Sequence, residues 1–190
     1  PDAYDSHEIQ QFYAVARQRN PAVADLFRFI ACTGCRRGEA TGLLWADVDL
    51  ERGRITFRAQ KTGRSRVLPL IGAPEGDVAP GLLHWLRQAR EKAQGELVFN
   101  RFPAGAWGSV MALSVRITPQ GLRSNFTSYA ASLGIPATVC ALWQGHTAQV
   151  AERFYRAQIL ERTVSATIEG ALGFEVPDTP YTAQYVATVV

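Results

Sequence analysis

Thr33-Gly34-Cys35-Arg36-Arg37-Gly38-Glu39-Ala40-Thr41-Gly42-Leu43-Leu44-Trp45-Ala46-Asp47-Val48-Asp49 is the stretch in which the chain changes character. Thr33-Gly34 stops a helix, because glycine accepts the left-handed backbone that closes one. Arg37 to Leu44 predicts a short helix, and Trp45 to Asp49 reads as a turn into a sheet. Upstream the pattern is helical. Ile9, Phe12, Tyr13 and Ala16 recur at helical spacing from Ser6 to about Arg19. Asn20-Pro21 breaks that run and starts a second helix with Val23, Leu26, Phe27 and Ile30 on its apolar face. Downstream the period changes to two. Arg54 to Gln60 alternates, Lys61-Thr62-Gly63-Arg64 is a turn, and Ser65 to Leu70 is the returning strand.

The rest of the chain returns to helix. Ile71 to Pro80 contains two glycines and two prolines and predicts a loop. Leu82, Trp85, Leu86 and Ala89 mark a helix to about Ala93, Leu97-Val98-Phe99 a short strand, and Ser109 to Val115 another helix. Thr118-Pro119 is a helix start, a side-chain cap followed by proline at the first position, with Leu122, Phe126, Tyr129 and Leu133 as the buried stripe and Gly134 as the stop. A helix from Pro136 to Trp143 stops at Gly145, and another begins near Thr147 and carries Phe154 and Tyr155. The expected class is α+β, mainly helical, with one small antiparallel sheet. Residues 1–170 form the expected domain and residues 171–190, without a basic residue and with two prolines, a tail.

Composition narrows the function classes. The chain has 190 residues, 47% of them hydrophobic, enough for one domain with a core. It lacks an apolar run of about 18 residues, so no membrane partner is expected. Three cysteines do not make a disulfide scaffold and suit a reducing, cytoplasmic setting. The chain begins at Pro1 with no basic-then-apolar leader, and the expectation is a piece of a longer polypeptide. Net charge is only +3, yet of 20 basic residues just Lys61 and Lys92 are lysine. From Arg52 to Arg66 run six basic residues and no acid. That block suits a polyanion such as DNA, and equally a solvated hairpin; charge alone does not choose.

Several chemistries lack support. His7, His84 and His146 are far apart and show no paired-ligand spacing, so neither a metal nor another cofactor is expected. Cys32 and Cys35 form a C-x-x-C, but the helix stop between them favours two small buried thiols over a redox pair. No glycine-rich phosphate loop and no G-x-S-x-G elbow is present. What remains is a scattered set of cations and donors: Arg36, Lys61, Arg123, His146 and, nine residues later, Tyr155. Each alone has a plain structural explanation.

Together they carry a resemblance. Thr33 to Glu39 with Leu43 to Asp49 resembles the first signature box of the tyrosine recombinases, the phage-integrase family. Lys61-Thr62-Gly63 with Arg66 and Val67-Leu68-Pro69-Leu70 is similar to that family's catalytic hairpin. Ile117 to Arg123 resembles its H-x-L-R box, and Gly145-His146 with Tyr155 its last box. The likeness runs from about residue 5 to 165. Two positions depart from it: Gln120 stands where the family has His, and Gln144 where it has Leu.

The resemblance implies a recombinase of a mobile element or prophage that breaks and rejoins double-stranded DNA without metal, ATP or a small-molecule substrate. Tyr155 would attack a backbone phosphate and become linked to its 3′ side. Arg36 and Arg123 would grip the non-bridging oxygens with planar forks of donors, and His146 would add a hydrogen bond. Lys61 would protonate the departing 5′ oxygen. Gln120 can donate a hydrogen bond but cannot carry a proton, so activity is expected to be reduced or lost if that position serves as the base. Arg37, Arg58, Arg64 and Arg66 are the expected phosphate contacts. The resemblance further implies a homotetramer on DNA in a bacterial cytoplasm at the nucleoid and an upstream helical clamp domain outside these residues. The C-terminal tail, apolar for a free end at Phe174, Tyr181, Tyr185 and Val186 to Val190, is expected equally to dock on its own domain or to pass between protomers.

Overall fold

The computed structural model describes residues 4–58, 65–72, 76–100, 105–113, 117–145 and 168–175. Three helices lead: α1 (Ser6–Arg19), α2 (Pro21–Thr33) and α3 (Arg37–Thr41). A single 3-10 turn, Trp45–Asp47, leads into an antiparallel sheet of β1 (Val48–Asp49), β2 (Arg54–Phe57) and β3 (Arg66–Pro69), in that order. Then come α4 (Pro80–Glu91), α5 (Ala106–Met111), α6 (Pro119–Ser132), α7 (Ala137–Gln144) and a short α8 (Ile168–Ala171). This is the expected mainly helical α+β class.

The middle of the molecule is α2. Of its 13 residues, nine are buried, from Val23 to Thr33. A helix apolar all round must be covered on every side, and its neighbours supply the cover. Phe27 meets Phe12 of α1 with ring centroids 5.0 Å apart and stacks on Trp107 of α5 at 5.1 Å. Phe29 meets Phe57 of β2 at 6.5 Å and Phe99 at 5.1 Å. The sheet's inner face is Ile55, Phe57 and Leu68, with Ile55 opposite both Val48 and Leu68.

Helix boundaries follow local chemistry. The Asp5 carboxylate accepts the Glu8 backbone N–H while Glu8 accepts that of Asp5, a reciprocal cap on α1. Thr118 caps α6 by accepting the Gly121 N–H at 3.0 Å, with Pro119 in the first turn. Gly34 (φ 61°) ends α2 and Gly145 (φ 68°) ends α7, both left-handed.

Three expectations need correcting. The turn into the sheet contains a strand of its own, β1, too short to show any alternation. Leu97-Val98-Phe99 is not a strand; Leu97 forms one isolated bridge with Leu44. The boundary at 171 falls inside the core, since Leu172 and Phe174 are buried and the Phe174 ring stands edge-on to Tyr13 at 5.1 Å. The helix expected near Thr147 lies outside the described residues. None of the described helices is long and apolar enough to cross a membrane.

Candidate active site

Arg36 ends the connection from α2 to α3, and Glu39 sits in the first turn of α3. Glu39 therefore reaches back over one turn. Its carboxylate accepts the Arg36 backbone N–H at 2.7 Å and the Arg36 Nη1 at 3.1 Å. Arg66 of β3 completes the arrangement with a two-pronged pair, Nη1 to Oε1 at 2.8 Å and Nη2 to Oε2 at 2.6 Å. Its Nε donates to the Trp143 carbonyl at 2.6 Å, and its guanidinium lies 4.7 Å from the Phe57 ring centroid. One arginine thus ties β3 to α3 and to the end of α7. Burial is the largest influence on the Glu39 carboxyl and would raise its pKa; the bonds from Arg66 and Arg36 outweigh it and hold the group below its ordinary value.

Arg123 lies in α6 and is 2% exposed. Its Nη1 donates to the Gly34 carbonyl and its Nη2 to the Gln144 carbonyl, the latter at 2.6 Å. Both acceptors are at helix C-termini, of α2 and α7, where the backbone carries partial negative charge. The guanidinium is thereby bound at the junction of three helices. Burial, reinforced by the positive charges of Arg36 and Arg66, lowers its pKa to about 10, so it stays protonated at neutral pH. The bond to Gly34, two residues before Arg36, brings Arg123 to the segment that carries Arg36 although 87 positions separate the two arginines in sequence. The Arg36 side chain is 51% exposed, and among the described residues its hydrogen bonds go to Glu39 alone.

Gln120, second in α6, is exposed, one turn before Arg123. Arg37 is exposed and lies over the Trp107 ring at 5.0 Å. Arg58 is exposed and pairs with Asp47 at 2.7 Å. Lys61, Arg64, His146 and Tyr155 lie outside the described residues. Arg66, expected on an outer phosphate-binding surface, is instead turned inward, its side chain only 10% exposed. The basic block is also less bare than its sequence suggests. Arg52 and Arg54 both pair with Asp49, Arg58 with Asp47 and Arg66 with Glu39. The acids come from the preceding segment, and the β1–β2 register sets Asp49 opposite Arg54. Cys32 and Cys35 are free and buried, and burial pushes the Cys35 thiol up to about 12. A thiolate at neutral pH is therefore disfavoured.

Residues 3–168 match the sequence profile of the phage integrase family. The chain belongs to this family. Among its relatives is the prophage integrase IntF of Escherichia coli (strain K12), 25% identical over 173 residues. That match takes in 84% of this chain and 36% of IntF, so the chain spans about a third of that relative's length. The fold is that of solved tyrosine recombinases. XerA recombinase superposes with a TM-score of 0.62 at 17% identity, over the whole of this chain and 66% of that one. The Tn1549 transposon integrase in complex with transposon right end DNA gives 0.61 at 15% identity, over 81% of this chain and 61% of that one. Within this phage integrase fold, the two departures seen in the sequence differ in setting: Gln120 faces solvent, whereas Gln144 is buried beside Arg123.

Proposed function

We propose that this chain is the catalytic domain of a site-specific DNA recombinase that cuts and rejoins strands through a covalent phosphotyrosine. The supporting observation is the placement of two motif arginines in one region: the buried Arg123 guanidinium is bound to the Gly34 carbonyl, two residues before Arg36. A phosphodiester repels a phenolate, and its transition state gathers further negative charge on the non-bridging oxygens. Fixed donors aimed at that charge are worth roughly a hundredfold to a thousandfold in rate each.

The Tyr155 phenol oxygen forms a bond to phosphorus, and the bond from phosphorus to the 5′ oxygen breaks. The phenolic proton passes to solvent, since Gln120 cannot accept it. The leaving 5′ oxygen takes a proton from Lys61, and His146 donates to a non-bridging oxygen. Joining reverses these steps with the 5′ hydroxyl of a partner strand. The bond energy stays in the ester, so no nucleotide cofactor is required. Duplex DNA is held through phosphate contacts from Arg37, Arg58 and Arg64, and a tetramer on DNA brings four such sites together. Arg66 belongs to the scaffold of the site.

Incubation with a nicked suicide duplex, followed by a denaturing gel, tests the reading. A covalent protein–DNA band is expected, absent in Tyr155→Phe. No band from the unaltered chain would favour the second reading, in which the fold binds DNA without cutting it. The exposed Gln120 motivates that alternative, and Gln120→His separates the two. A rise in adduct of about 10²-fold assigns the base role to this position.

A further inference from the structure

Resting on the assignment of Arg123 as a phosphate-gripping residue, we infer that Gln144 is the positioning residue that sets the Arg123 guanidinium. Gln144 is 4% exposed and ends α7. Its side-chain amide lies along one turn of α6: Nε2 donates to the Arg123 carbonyl at 2.7 Å, and Oε1 accepts the Thr127 hydroxyl at 3.1 Å. Its own backbone carbonyl then accepts Arg123 Nη2 at 2.6 Å. One residue thus holds Arg123 at both ends, at the backbone through its side chain and at the guanidinium through its backbone. Buried amides are costly unless paired, and this one has both its oxygen and its nitrogen engaged.

Room for the amide comes from Gly34. A Cβ there would stand 2.7 Å from Gln144 Nε2 and 2.6 Å from Phe126 Cδ1. Gly34 also supplies the carbonyl for Arg123 Nη1. Gly34, Arg123, Thr127 and Gln144 therefore form one interlocked set. An apolar side chain at 144 would fill the space and leave the Thr127 hydroxyl and the α6 turn without these partners.

The test uses the full chain with ¹⁵N-labelled arginine. A guanidinium held by two carbonyls rotates slowly about its Cζ–Nη bonds and gives resolved Nη–H signals; those of Arg123 are identified by their loss in Arg123→Lys. In Gln144→Met, close in volume but without the amide, the Arg123 signals are expected to broaden away while those of Arg66, bound to Glu39, remain. Thr127→Val should move them in the same direction by less, and it serves if Gln144→Met does not fold. Arg123 signals unchanged in a folded variant overturn the inference. In single-turnover cleavage of a suicide duplex, Gln144→Met should lower the rate at saturating DNA about tenfold, the worth of one such bond. That loss should vanish in an Arg123→Lys background. A loss that persists there at full size overturns the inference, because Gln144 would then act independently of Arg123. An unaltered chain that forms no adduct defeats the recombinase reading instead, and the signals of Arg123 alone then decide the role of Gln144.

Discussion

Gly121 and Tyr4 face each other where the N-terminal segment crosses α6. A Cβ at 121 would run into the Tyr4 ring and hydroxyl, and Tyr4 is 8% exposed with little room to retreat. Gly121→Ala is expected to destabilise by about 1–3 kcal/mol, as overpacking usually does, read as a lowered midpoint in urea. Glu39 gives a pH prediction. Its folded-state pKa lies below the ordinary 4.5, so its contribution to stability is complete above that value and is lost as pH falls through the lower one. Glu39→Gln should flatten this part of the acid limb, checked by thermal melts between pH 3 and pH 7; an acid limb of unchanged slope would refute the assignment. The sequence made Arg36 and Arg123 visible because they sit inside motifs. Gln144 was visible only as a departure from the family pattern; what it binds was not, because its partners lie about 20 positions away, on a different helix.

The hairpin and the helices around it show which elements can be read locally. Alternation in Arg54 to Phe57 is a property of one strand and was legible. So was the start of α6, since Thr118 and Pro119 act on backbone within three residues. The acids that face the basic block were not legible as partners, because only strand pairing brings Asp49 across to Arg54. This distinction predicts different behaviour for two arginines of the same block. Arg58 pairs with Asp47 in an exposed setting, and such pairs are worth little, so phosphate can displace the carboxylate. Arg58→Ala should lower the slope of log affinity against log salt by about 1 in DNA-binding titrations. Arg66 spends its fork on Glu39 and Trp143, joining three elements. Arg66→Ala should leave the salt slope unchanged and cost about 3 kcal/mol of stability, because Glu39 is then buried without its main partner. A reduced salt slope for Arg66→Ala would return it to the DNA surface.

At the scale of the molecule, the first and last described segments are fastened to the middle. Residues 168–174 pack on α1 and α2: Glu169 is fully buried and pairs with Arg28 at 3.0 Å, Arg28 also lies over the Phe174 ring, and Gln10 donates to the Leu172 carbonyl. The apolar residues of the segment, Ile168, Ala171, Leu172 and Phe174, are readable in the sequence, but their partners are not, because these lie some 140 to 160 positions away. Phe174→Ala should cost about 3 kcal/mol, measured by denaturant unfolding, and a loss under 1 kcal/mol would mean the ring is not part of the core. The other end is anchored more pointedly. The Tyr4 backbone exchanges two hydrogen bonds with Asn125, its carbonyl also accepts the Tyr129 hydroxyl, and its own hydroxyl accepts the Thr118 N–H. All three partners belong to α6 or its cap. Tension applied at Tyr4 is consequently delivered first to α6, the helix that bears Arg123, before it reaches the rest of the core.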